Sequence, residues 1–120
     1  MPPTLLSSPT DATTEPLEPA ARPAAGRYVA VEAGGEQRFV RLEPGATHIG
    51  RSWAVEIVIE DQTVSRRHAI LYATADSVRI LDDRSANGTR VNGRFVSVAE
   101  LADGDVIQVG RAVLIYREID

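Results

Sequence analysis

Three short polar stretches of this chain carry groups able to hold an anion: "HIGRS" (48–52), "TVSRRH" (63–68) and "RSANGT" (84–89). Arg51 offers a planar guanidinium whose fork matches two oxygens of one phosphate or carboxylate. Ser65 adds a hydroxyl and Arg66 a second set of donors. Asn87 adds a carboxamide that both donates and accepts, which suits a peptide backbone. Gly50 frees the main chain beside Arg51, and Asn87–Gly88 favours a turn with positive φ. Each stretch alone could be an ordinary solvated turn. Together they form an ordered set, with 14 residues from Arg51 to Ser65 and 22 from Ser65 to Asn87.

Other chemistries find less support. The chain has no cysteine, which excludes disulfides, thiolate metal sites and a cysteine nucleophile. Its two histidines, His48 and His68, lack the cysteine or spaced carboxylate pair that would complete a metal site. No G-x-S-x-G elbow is present, and no glycine-rich loop leads into a helix. Asp82–Asp83 and Asp103/Asp105 are candidate acid/base pairs, but glycine, asparagine and serine surround them, which is turn chemistry. Neither catalysis, a cofactor nor a bound metal is expected. The enzyme alternative is a small hydrolase built on Asp82, Asp83 and His68.

The elements that must position these groups can be read from the rest of the chain. A length of 120 residues favours one domain, and 43% hydrophobic content can fill a core. The net charge of −4 argues against nucleic acid as a partner. All 13 basic residues are arginine. No apolar run approaches the ~18 residues that span a bilayer, and no secretory signal is apparent, so no membrane partner is expected. A cytoplasmic location is the expectation.

Residues 1–26 hold six of the seven prolines and no aromatic residue, a composition that predicts a disordered tail. Residues 27–120 form the predicted domain. "RYVAVEA" and "EQRFVRL" flank Gly34–Gly35 as a hairpin. "EIVIE", "HAILYA" and "DSVRILD" are further strands. Asn92–Gly93 in "TRVNGRFV" is a strong hairpin signal. "DVIQVG" and "RAVLIYREI" close the chain around Gly110. "SVAELAD" predicts a helical turn stopped by Gly104. The sum is an all-β fold, an antiparallel β-sandwich of two sheets with about 10–11 short strands. Strands of one sandwich preceding the three polar loops would let those loops meet at one end.

The series "IGR…SRRH…SANGT", with "VNG" and "LADGDVIQVG…LIY" after it, resembles the forkhead-associated (FHA) domain, in its small single-domain bacterial form. The resemblance runs from about Tyr28 to Glu118. It implies a two-sheet sandwich that binds phosphothreonine peptides and serves Ser/Thr kinase signalling. By that resemblance Arg51 and Ser65 contact the phosphate, Arg66 contacts phosphate or peptide, and Asn87 bonds the peptide backbone. Gly50, His68 and Gly88 act structurally, His68 by tying loops together. Phosphothreonine is preferred over phosphoserine because its methyl fills a small apolar pocket.

Two positions depart from the family pattern. Ala86 stands where a hydroxyl is common, and "SWAVE" replaces a polar loop after Arg51. Trp53 either folds back over the sandwich edge or packs against a partner beside the phosphosite. Arg84, Arg90 and Arg94, with Arg67, make this end positive. Thr13 and Thr14 are candidate phosphosites through which the tail could become the domain's own ligand. The competing binding reading is a phosphate-independent interaction through the Trp53 loop.

Overall fold

The computed structural model describes residues 24–120. The expected tail therefore lies outside the described residues up to residue 23, and Thr13 and Thr14 with it. Eleven strands follow in order: β1 (Gly26–Ala33), β2 (Glu36–Arg41), β3 (Gly45–Gly50), β4 (Ile57–Val58), β5 (Ala69–Ala73), β6 (Val78–Asp82), β7 (Thr89–Val91), β8 (Arg94–Phe95), β9 (Val98–Glu100), β10 (Val106–Val109) and β11 (Ala112–Ile119). They form a six-stranded sheet, β2-β1-β11-β10-β7-β8, and a five-stranded sheet, β4-β3-β5-β6-β9.

Side-chain alternation decides which face of each strand turns inward. Val29 and Val31 of β1 and Leu114 and Tyr116 of β11 are buried, and they meet Leu71, Val78 and Ile80 of the opposite sheet in one core. Burying a side chain of this kind is worth about 1.5–3 kcal/mol. Tyr116 is fully enclosed at its ring, while its hydroxyl donates to Glu118 Oε2 at 2.8 Å. That burial and the adjacent carboxylate push the phenol well above its ordinary pKa.

The turns follow residue chemistry. Asn92 and Gly93 adopt φ of 51° and 85°, the double positive φ of a type I′ hairpin. The Gly34–Gly35 turn closes β1 onto β2 in the same way, at φ of 61° and 78°.

Two local expectations are corrected. "SVAELAD" is not a helical turn. Val98–Glu100 is edge strand β9, paired with Arg79–Leu81 of β6. The Leu101 amide then donates to Val78 O at 2.8 Å and the Leu101 side chain is buried. Pairing to β6 and anchoring of Leu101 outweigh the weak helical preference of an Ala-Glu-Leu run. The sheet is also not wholly antiparallel, because β3 and β4 run parallel, with Ile49 opposite Ile57 and Gly50 opposite Val58. A parallel pair normally needs a long crossover. Here β4 is two residues long, so the chain between 51 and 56 has only about 7 Å of travel to undo.

Candidate functional site

Three loops share one end of the sandwich: 51–56 after β3, 59–68 before β5, and 83–88 before β7. The first two are zipped together through their backbones. The Arg51 amide donates to Ser65 O at 2.9 Å, the Ser52 amide to Arg66 O at 3.2 Å, and the His68 amide to Ile49 O at 2.8 Å. Gly50 makes this approach possible, since a Cβ there would lie 1.9 Å from Arg66 O. The glycine is required by space and not by an unusual φ. Glu56 secures the far side of the first loop. Its Oε1 accepts from the His48 amide at 2.6 Å and lies 3.0 Å from His48 Nδ1. Those bonds to His48, the backbone one first, hold the Glu56 carboxyl below its ordinary range.

His68 joins the second loop to the third. It is fully buried. Its Nδ1 accepts from the Ser65 amide at 3.0 Å, which places the ring proton on Nε2, and Nε2 donates to Gly88 O at 2.8 Å. Both ring nitrogens are thus occupied by backbone, which leaves no nitrogen for acid/base work with Asp82 or Asp83. Asp82 organises the third loop from within. It accepts from the Ser85 amide at 3.1 Å, Ser85 Oγ at 2.5 Å and Thr89 Oγ1 at 2.7 Å. Burial works against its charge, but the Ser85 and Thr89 hydroxyls outweigh it and keep the carboxyl below its ordinary value. The loop reverses at Gly88, φ 84°, where a Cβ would meet the Phe95 ring at 2.7 Å.

Side chains complete the joining and orient the donors. Ser65 Oγ accepts the Ala86 amide at 2.9 Å, so its own proton is available to an outside acceptor. Asn87 Nδ2 donates to Thr63 O at 2.8 Å, which leaves its amide oxygen and second N–H without a protein partner among the described residues. Arg51 Nε donates to Val64 O at 3.0 Å and fixes the guanidinium beside Ser65. Its two terminal nitrogens bond to no protein atom among the described residues. Neither does the exposed side chain of Arg66. Arg67 pairs with Asp83 at 3.4 Å. The structure therefore brings Arg51, Ser65, Ala86 and Asn87 into one cross-linked cluster, with Gly50, His68 and Gly88 beneath it.

Trp53 does not fold back over the sandwich. It is 89% exposed at the tip of the first loop. Arg84 is exposed with φ of 55°, a left-handed conformation that turns the third loop. Thr63 and Arg111 escaped the sequence reading. Thr63 supplies the carbonyl that holds Asn87, and its Oγ1 accepts the Arg111 amide at 2.8 Å. The signal available was Gly110 before Arg111. A Cβ on Gly110 would lie 2.4 Å from Thr63 O, so that turn must press on the second loop. Among the described residues no three histidine, aspartate or glutamate side chains gather as a metal site.

Known proteins share this arrangement. The family model described as "FHA domain" matches residues 47–110. The chain is 46% identical over 77 residues to an ABC transporter ATP-binding/permease protein, Rv1747, of Mycobacterium tuberculosis, covering 64% of this chain and 9% of that protein. It is 39% identical over 79 residues to the glycogen accumulation regulator GarA of Mycolicibacterium smegmatis, covering 66% of this chain and 49% of that one. The chain thus spans half or less of the length of both relatives. A solved structure described as "Structural and functional analysis of phosphothreonine-dependent FHA domain interactions" superposes with a TM-score of 0.72 at 34% identity, covering 78% of this chain and 98% of that one.

Proposed function

Because the chain belongs to the FHA domain family, we propose that it is a non-catalytic module that binds phosphothreonine-containing proteins and so recruits or regulates partners of Ser/Thr kinase signalling. One observation carries the reading. The three loops spend their backbone groups on one another, while the Arg51 terminal nitrogens, the Ser65 hydroxyl proton and the Asn87 amide oxygen have no protein acceptor or donor among the described residues. A guanidinium beside a hydroxyl donor matches a dianionic phosphate ester, and the neighbouring carboxamide matches the ester's peptide backbone. Ala86 presents its amide to Ser65 and not a hydroxyl to the ligand, so Arg66 supplies the remaining phosphate donors. The phosphothreonine-dependent interactions of a related FHA domain, and the presence of the glycogen accumulation regulator GarA among the relatives, support the same assignment.

Thr13 and Thr14 are proposed as kinase acceptors in the same system. Phosphorylated there, the tail becomes the domain's own ligand, so tail-phosphorylated protein should bind an external phosphopeptide more weakly than unphosphorylated protein, and unchanged affinity would exclude the tail as a ligand. The main test is titration of wild-type protein and Arg51→Ala with one peptide in phosphothreonine, phosphoserine and unmodified forms. Binding should need the phosphate, favour phosphothreonine, and fall about ten- to over a hundredfold in Arg51→Ala, the range for hydrogen bonds to a charged group. The exposure of Trp53 favours a second reading, a phosphate-independent contact through the first loop. Equal binding of modified and unmodified peptides, lost in Trp53→Ala and kept in Arg51→Ala, would establish it instead.

A further inference from the structure

The chain holds two Asn–Gly pairs, Asn87–Gly88 and Asn92–Gly93. In such a pair the glycine nitrogen can attack the asparagine's own Cγ, because glycine has no Cβ to crowd the approach. How the carboxamide and the following amide are held decides whether it does so, and the two pairs are held differently.

Asn92 is clamped at both ends of its carboxamide. Its Nδ2 donates to Asp105 Oδ1 at 3.0 Å, and its Oδ1 accepts the Val106 amide at 2.9 Å. Asn87 is exposed, and among the described residues one bond holds its carboxamide, from Nδ2 to Thr63 O at 2.8 Å. Each such bond restrains a side chain by about two- to tenfold in population. Asn87 has one to break before its Cγ can turn to the next amide, and Asn92 has two. The Gly88 nitrogen is also prepared. Its N–H donates to Ser85 Oγ at 2.9 Å, and Ser85 Oγ donates to Asp82 Oδ1 at 2.5 Å. The amide proton therefore stands at the head of a relay that ends on a carboxylate.

We propose that Asn87 is a modification site, which deamidates spontaneously and so switches off ligand binding unless a bound peptide holds its carboxamide. Gly88 N forms a bond to Asn87 Cγ while its proton leaves through Ser85 to Asp82. The Cγ–Nδ2 bond breaks, and ammonia departs after taking a proton from solvent. Water then opens the cyclic imide at either carbonyl and leaves aspartate or isoaspartate at position 87. Nothing is oxidised or reduced. Either product damages the site. Aspartate sets a carboxylate against Thr63 O in place of a donor, and next to the ligand's phosphate. Isoaspartate lengthens the main chain just ahead of Gly88, whose carbonyl accepts from His68 at 2.8 Å. The loss of binding and the protection by ligand rest on the phosphothreonine reading of the loops. The deamidation itself does not.

The test incubates the full chain at mildly alkaline pH, with and without a saturating phosphothreonine peptide, beside the variants Ser85→Ala and Asn92→Gly. Peptide mapping by mass spectrometry follows aspartate and isoaspartate at 87 and 92, and phosphopeptide affinity is read on the same samples. Asn87 should convert about two- to tenfold faster than Asn92, the worth of one hydrogen bond. The bound peptide should slow position 87 and leave 92 alone. Converted protein, like Asn87→Asp, should bind about tenfold more weakly. Asn92→Gly should lose affinity over time at the wild-type pace. Conversion at 87 should rise less steeply with pH than at 92, because the relay accepts the proton, and Ser85→Ala should restore the steeper rise. An unchanged pH profile in Ser85→Ala would overturn the relay. Equal rates at 87 and 92, with binding still phosphate-dependent and still lost in Arg51→Ala, would overturn the modification site alone. Conversion at 87 that leaves affinity unchanged would overturn its effect on the site. Binding indifferent to the phosphate would overturn the phosphothreonine reading, and the protection with it, whatever the conversion rates.

Discussion

The two ends of the sandwich are built from similar residues and differ in what their bonding leaves over. At the end away from the candidate site, the turns spend their polar groups on one another and on the neighbouring strands. Asp105 accepts from the Ala102 amide at 2.8 Å and from Asn92 Nδ2 at 3.0 Å, and Asp103 accepts from the Glu118 amide at 2.8 Å and pairs with Arg117 at 3.1 Å. Arg27 places its guanidinium on the carbonyls of Thr74 and Ala75. At the site end the loops bond to one another, through Ser65 to Ala86, His68 to Gly88 and Asn87 to Thr63, and the donors of Arg51 and Arg66 are left over. A fold seeking only stability would close both ends as it closes the first. Unspent donors on a cross-braced frame are what a preorganised anion site needs, because little ordering is then left to the ligand.

The largest expected break in this contrast is a glycine pair. Gly50→Ala drives a Cβ into Arg66 O, whereas at Gly104 no atom lies within 4 Å of the added Cβ and only the φ of 90° is strained. Gly50→Ala should cost about 3 kcal/mol or more and Gly104→Ala about 1 kcal/mol, read as shifts of the urea midpoint at constant slope. Equal costs would show that the close approach of the two loops is not a real constraint.

Next in size, Arg51→Ala should separate function from stability. It should lose roughly 1.5–3 kcal/mol of phosphopeptide binding while stability falls by no more than about 1 kcal/mol, since the guanidinium gives the protein only one bond, the part-buried one to Val64 O. A matching loss of stability would mean that Arg51 is a structural brace.

Smaller again is Asp82, whose three donors shape the third loop. Asp82→Asn should destabilise by about 1–2 kcal/mol at pH 7. The folded-state carboxyl titrates below the ordinary aspartate value of 3.8. Its contribution is therefore present in full above that value and lost as pH falls through the lower, folded one. The gap between wild type and Asp82→Asn should hold from pH 7 down to about 4 and close only below it. A gap that closes between pH 7 and 5 would assign the effect to another group.

The smallest effect belongs to the far end. Asp103→Asn, which weakens the half-exposed pair with Arg117, should shift stability by under about 1 kcal/mol and leave phosphopeptide affinity unchanged.

Much of this was legible in sequence because local chemistry and fold agree. Asn92–Gly93 can do little except make a tight hairpin, and the alternation along β5, β6 and β11 allows only one face to be buried. The glycine, arginine, serine and asparagine of the three loops could be picked out because their types are unusual side by side. Three features were hidden for physical reasons. Strand β9 depends on pairing with β6, which local propensity does not encode. The parallel β3–β4 pair depends on how far the Arg51 loop doubles back. The Asn87–Thr63 and Arg111–Thr63 links join residues 24 and 48 positions apart through a backbone carbonyl and a common hydroxyl, and neither leaves a mark in residue spacing.

The most direct measurement is an amide and arginine side-chain NMR shift map on addition of a phosphothreonine peptide, with its unmodified form as reference. Phosphate-dependent shifts should concentrate at 50–53, 63–68 and 84–89, include the Arg51 guanidinium, and spare the turns at 74–77, 92–93 and 102–105. Shifts that ignore the phosphate, or that gather at those far turns, would contradict the assignment of the anion site to the braced loop end.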